Sequence, residues 1–209
     1  MLIRYNDLLS LIRESLEHEL DERAMTHSDA GDGMAMFLKA TNDDVSVVLY
    51  NAEPMKEGVI RGDDYKKLAN NVVAIIYASA GQMSPCFEVH FVAALKGWGP
   101  FMYDTAMAHA PNGLMPDRLS VSPAAKNVWQ HYYDRADVTK IKLESPVRLH
   151  GDKVLDCSYQ LTGSGPDTSA LQARHEQIDE ETEGQLTGLL ISSGMRSVQT
   201  AFFMRHNKS

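Results

Sequence analysis

Apolar positions along this chain change period several times, and each change marks a candidate element. Over residues 5–24, Leu8, Leu9, Ile12, Leu16 and Leu20 recur at three- and four-residue spacing. That period predicts an amphipathic helix, with Asn6 or Asp7 as its cap. Thr26 to Gly33 is a polar break. Asp29 and Asp32 within it could face a cation, but the run lacks the acidic spacing of a calcium loop and reads first as a plain loop. Met34–Ala40 and Val45–Tyr50 then predict strands. Tyr65 to Asn71 reads as a short helix. Val72–Ala78 is apolar without alternation, the pattern of a strand buried on both faces.

The second half continues in the same alternating manner. Cys86–Ala93 carries the β-formers Phe87, Val89, Phe91 and Val92. A glycine-containing turn follows, then a helix over 101–110, with Pro100 suited to a first helical position. Leu114–Val121 predicts a strand bent at Pro116. Ser122 and Pro123 predict the cap and first turn of a helix reaching Arg135, with Ala125, Val128, Trp129 and Tyr132 on one face. Thr139–Leu143 and Val154–Leu161 predict a final strand pair. Gly163 to Asp167 is a break, and Thr168–Glu183 is polar and acidic, either helical or disordered. Leu186–Met204 is apolar enough to fold back on the core.

Composition narrows the class without naming a function. The 209 residues allow one domain with a substantial core. Hydrophobic residues make up 44% and charged residues 23%, ordinary for a globular protein, and the formal net charge of −8 argues against general nucleic-acid binding. No apolar run is long enough to predict a transmembrane helix, so no membrane partner is expected, and charge interrupts the N-terminus too early for a secretory signal. Two cysteines, Cys86 and Cys157, make no disulfide framework or metal-type pair and read as small buried residues in a reducing cytoplasm. The eleven methionines read as adaptable core filler. His109, His131, His150, His175 and His206 show no metal-ligand spacing, and no metal is expected.

The strand–turn–helix segment 86–110 carries the main chemical signal. A glycine turn opening a helix aims backbone N–H groups and the helix N-terminus at one point, which suits an anion such as a pyrophosphate. Lys96, Gly97, Trp98 and Gly99 form that turn. Taken alone, the two glycines would serve equally well in a tight turn beside a packed helix.

The element order, with Ala94-Leu95-Lys96-Gly97-Trp98-Gly99 at the turn, resembles the GNAT superfamily of N-acyltransferases. There a strand ends in a splay, and an [Arg/Gln]-x-x-Gly-x-[Gly/Ala] turn holds the pyrophosphate of acetyl-CoA on its amides. Both glycine positions match. Ala94 replaces the leading Arg/Gln, and Pro100 removes an amide just beyond the motif. The Gly97–Met107 stretch with the Leu114–Pro123 block also resembles a group of bacteriophage-encoded GNAT-related proteins, mainly over residues 86–135.

The resemblance implies roles for further residues. The helix after Ser122 would place Tyr132 or Tyr133 to protonate the departing CoA thiolate, a transfer available to a phenol because it is the weaker acid. Both rings would serve as well in a core. Glu88 and His90, two apart on the strand bordering the acceptor site, are candidate bases for the amine. Asp117 and Arg118 read as an ion pair fixing a turn; alternatively, Arg118 faces a substrate carboxylate or phosphate.

The resulting expectation is an α/β fold, GNAT-like, with a mixed and mostly antiparallel sheet of five to seven strands and helices on both faces. The amphipathic helix would occupy residues 1–25, the α/β domain 34–162, and an extension packing back on the domain 163–209. The expected activity is acetyl transfer from acetyl-CoA to a small-molecule or protein amine in a host cytoplasm. The alternative is a non-catalytic phage structural or accessory protein, virion-associated, using its terminal segments to bind other phage structural proteins.

Overall fold

The computed structural model describes residues 30–31, 33–52, 72–81 and 84–176. The predicted helix over 5–24, the loop aspartates 29 and 32, the segment 65–71 and the apolar stretch 186–204 lie outside them.

Among the described residues the chain is α/β, with a mixed seven-stranded sheet and three helices. The strands are β1 (Met34–Ala40), β2 (Asp44–Asn51), β3 (Val72–Ala80), β4 (Phe87–Ala94), β5 (Leu114–Met115), β6 (Val138–Lys142) and β7 (Cys157–Leu161). The helices are α1 (Gly99–His109), α2 (Pro123–Asp134) and α3 (Ser169–His175). The sheet order is β1-β2-β3-β4-β5-β7-β6. Every neighbouring pair is antiparallel except β4 with β5, which is parallel. A parallel pair needs a crossover, and α1 supplies it.

The unalternating apolar runs have a simple cause. Val45, Val47 and Leu49 of β2 and Ala74, Ile76 and Ala78 of β3 join the core under α1, where Phe101, Met102, Ala106 and Met107 meet them. Val48, Tyr50, Val72 and Ile75 lie in a second apolar cluster with Phe37, Phe91 and Ala93. Both faces of these strands are buried, so neither face needs polar positions. α2 closes the first core at its far end, where Trp129 stacks on Tyr159 at 5.1 Å and meets Tyr103 edge-on at 5.4 Å. α3 packs along the edge strand β1 through buried Leu171 and through His175, whose Nδ1 lies 2.8 Å from the Tyr50 hydroxyl. That cover blunts an edge otherwise open to pairing.

Two predicted strands are shorter than their apolar patterns. The Leu114–Val121 strand stops at Met115. Pro116 cannot donate to a ladder, and Asp117 Oδ1 then turns the chain by accepting the Leu119 and Ser120 N–H groups at 2.6 and 2.8 Å. The Val154–Leu161 strand begins only at Cys157, because residues 152–156 wind around the Asp156 carboxylate instead. Ser122 caps α2 as expected, its Oγ accepting the Ala125 N–H at 3.1 Å. Both cysteines are buried and free.

Candidate functional site

β4 positions most of the candidate chemistry. Tyr77 of β3 pairs with Phe91 and Ala78 with Val89, which leaves His90 as the extra residue of a β-bulge. A bulge bends its strand and re-aims side chains. Phe87 and Val89 belong to the core beneath α1, whereas Phe91 and Ala93 belong to the opposite apolar cluster, so the facing changes at His90.

On its other side β4 meets β5 through only two residue pairs, Phe87 with Leu114 and Glu88 with Met115. From Val89 to Ala94 that edge has no strand partner among the described residues. β4 and β5 therefore part after Glu88, and the free edge leads to the glycine turn.

At the turn, the Trp98 N–H donates to the Leu95 carbonyl at 3.0 Å, and Gly97 has φ +84°. Only glycine adopts that conformation without steric cost. Gly99 differs: its φ is not positive, and a Cβ built there meets nothing within 4 Å. Neither packing nor backbone conformation accounts for that glycine. Lys96 is exposed, while Trp98 is buried and packs edge-on against Phe101 at 5.6 Å. α1 has no side-chain cap. Among the described residues, the Gly99 and Phe101 N–H groups of its first turn have no acceptor, and Pro100 brings no N–H.

Tyr132 comes to this helix but not as an exposed acid. Its fully buried hydroxyl donates to Asp104 Oδ1 at 2.9 Å and reaches the Pro100 carbonyl at 3.1 Å. Burial, with the Asp104 carboxylate beside it, pushes the phenol well above its ordinary range. Arg135 lies over the ring and pairs with the same Asp104 at 2.6 Å. Tyr132 thus clamps α2 to α1. Tyr133 is half-buried and points elsewhere, with Lys153 Nζ 5.4 Å from its ring centroid.

Arg118 is a second correction. Its side chain is buried, and its guanidinium is committed to protein acceptors: the Pro116 carbonyl at 2.9 Å, the Leu155 carbonyl at 2.5 Å, and the Arg148 carbonyl and Asp156 Oδ1 at 3.4 Å each. The ion-pair partner is Asp156, not the adjacent Asp117. Burial alone would raise the Asp156 carboxyl. The N–H groups of His150, Asp152 and Gly151, with Arg118, hold it below its usual value. The fork therefore anchors the 148–156 loop.

Glu88 and His90 do come together, and Asp117 joins them. One ligating atom from each of the three lies within 4.8 Å of the others. His90 Nε2 is 2.8 Å from Ser79 Oγ, and Glu88 Oε1 accepts the Arg118 backbone N–H at 2.6 Å. Asp117 was legible only as part of a turn, because the 26 residues from Phe91 to Pro116 separate it from His90. The parallel β4–β5 pairing closes that gap.

No protein-family model, curated protein or solved structure matches this chain. Among the described residues, no helix is long and apolar enough to cross a membrane.

Proposed function

We propose that this protein is an acyl-CoA-dependent N-acyltransferase with a GNAT-like architecture. The observation that carries the reading is the parting of β4 from β5 after two residue pairs, with the freed edge running to an uncapped helix. Unpaired strand backbone suits an extended ligand that carries its own amides, as in strand addition. The pantetheine arm of acetyl-CoA is such a ligand. The Gly99 and Phe101 N–H groups, the helix N-terminus and Lys96 suit its pyrophosphate, and the open space at Gly99 lets that group approach. The loss of an amide at Pro100 makes the cradle smaller than the motif implies.

When bound, acetyl-CoA supplies an activated acyl group. The chain's own task is to hold an amine beside it and take its proton. His90 is exposed and lies four strand residues from Ala94, about 13 Å along β4. That spacing suits an elongated ligand with its anion at the turn and its reactive end near the bulge. His90 and Glu88 are the bases in reach of an amine there. Tyr132 is not the acid, since its O–H is sealed between two helices. Water takes that role.

The sealed Tyr132 and the missing Pro100 amide favour one competing reading, a non-catalytic phage accessory protein of the same architecture. Calorimetry with acetyl-CoA separates the two. Saturable binding that weakens about 10- to 100-fold in Gly99→Ala, whose methyl fills the space through which the pyrophosphate nears the amides and so weakens about one charge-assisted hydrogen bond, supports the transferase. Absence of binding in the folded wild type rejects it. Binding that Gly99→Ala leaves unchanged removes the turn as the CoA site.

A further inference from the structure

We propose that Glu88, His90 and Asp117 form a binding site for a divalent transition-metal ion, with Zn2+ the best fit. The three residues offer one imidazole nitrogen and two carboxylate oxygens, and the ligating atoms all lie within 4.8 Å of one another. A mixed nitrogen and oxygen set suits zinc, whereas magnesium and calcium prefer oxygen alone. Three protein ligands leave a coordination position open to water or another molecule.

Each donor is held from outside the cluster by a different part of the fold. His90 Nε2 lies 2.8 Å from Ser79 Oγ on β3. With the hydroxyl as acceptor, Nε2 carries the proton and Nδ1 is left to ligate, the arrangement by which an outer partner fixes a ligating histidine. Glu88 Oε1 is occupied by the Arg118 N–H, which leaves Oε2. Asp117 Oδ1 is occupied by the Leu119 and Ser120 N–H groups, which leaves Oδ2. The bulge at His90 and the turn after Pro116 thus bring three separately anchored side chains to one spot.

The electrostatics point the same way. Neither carboxylate has an ion-pair partner among the described residues. The Arg118 guanidinium feels both carboxylates but is hydrogen-bonded to Asp156 and forms no ion pair with either of them. Two carboxylates this close repel each other unless a cation lies between them.

The metal site does not rest on the acyl-transfer reading, but the two uses would compete for His90. Ligation needs an unprotonated ring nitrogen, so a bound ion would withdraw His90 from work as a base.

The test is calorimetric titration of the metal-free full-length chain with ZnCl2 in a non-chelating buffer, with Co2+ absorption reporting coordination. The expected result is one saturable ion whose affinity falls at least tenfold in His90→Ala and in Asp117→Asn. Glu88→Gln should act likewise, and Ser79→Ala should weaken binding about 10- to 100-fold as an outer-partner loss. The two amide variants keep the carbonyl oxygen that accepts the backbone N–H groups, and circular dichroism confirms their fold. Binding that survives all four substitutions places the ion elsewhere and overturns the proposal. So does the absence of saturable binding, or Mg2+ affinity equal to that of Zn2+ and indifferent to His90→Ala. Loss of acetyl-CoA binding has no bearing on any of these outcomes.

Discussion

Arg118 has two polar neighbourhoods that differ in how fully they are satisfied. On its side-chain side, the guanidinium, Asp156 and the 148–156 loop form a closed set in which every buried side-chain donor and acceptor has a partner. On its backbone side, the N–H holds Glu88 in a cluster where His90 is exposed and one oxygen of each carboxylate remains unused. The closed network is architecture, because a buried polar group is tolerated only when paired. The half-closed one keeps chemistry in reserve. The residue type does not separate the two: an arginine, the usual reader of anions, sits in the structural set.

The largest effect that tests this contrast is on stability. Arg118→Ala leaves Asp156 buried without its cation and strips three carbonyls of a donor. A loss of about 3–5 kcal/mol is expected in chemical denaturation. Arg118→Lys should not restore it, because a point charge cannot reproduce a fork reaching several acceptors. In the open cluster, His90→Ala should change stability by no more than about 0.5 kcal/mol. Equal losses at the two positions would erase the distinction.

Tyr132 extends the comparison to α1. Tyr132→Phe removes the hydroxyl held by Asp104 and the Pro100 carbonyl and should cost about 1–3 kcal/mol, since one partner is a carboxylate. Any acetyl transfer should keep its kcat. A drop in kcat with stability unchanged would return the residue to the catalytic set.

The glycine turn divides in the same way within three residues. Gly97, at φ +84°, should lose about 1–2 kcal/mol on substitution by alanine. Gly99→Ala, with open space around the new methyl, should leave the melting transition in place and alter only ligand binding. If Gly99→Ala unfolds the domain, the open cradle is not a ligand feature.

Much of the sheet was legible because its signals are local. The apolar runs of β2 and β3, the Ser122–Pro123 helix start and the glycine turn each depend on residues close in sequence. The β5 strand was overestimated because Leu119 and Val121 keep β-like character. Their neighbour Pro116 and the Asp117 side chain decide the backbone. The Glu88–His90 pairing was legible from spacing, but Asp117 was not, since only the parallel pairing across α1 brings it near. The choice between the structural and the chemical reading of Arg118 and Tyr132 was not legible for a related reason. Whether a polar side chain turns outward or inward depends on acceptors contributed by distant segments, Leu155 and Arg148 for one and Asp104 for the other.

The smallest effect concerns the rim of the closed network, where Asp152 links it to α2. The Lys126 ammonium at 2.5 Å, with the Val154 and Leu155 N–H groups, lowers the Asp152 pKa to about 2. The unfolded chain titrates this group near about 3.9. A folded pKa below the unfolded one means that stability rises with pH through this window. The contribution is therefore complete above the unfolded value and is lost as pH falls from about 4 to 2. Lys126 is half-exposed, so solvent screening keeps the effect below about 1 kcal/mol. Asp152→Asn retains an oxygen for the two backbone donors but removes the charge. Urea denaturation at pH 7 and pH 3 should show a smaller drop between the two values in the variant than in the wild type. Identical drops would mean that the Lys126–Asp152 contact adds nothing, leaving the loop to Asp156, its N–H donors and the Arg118 fork.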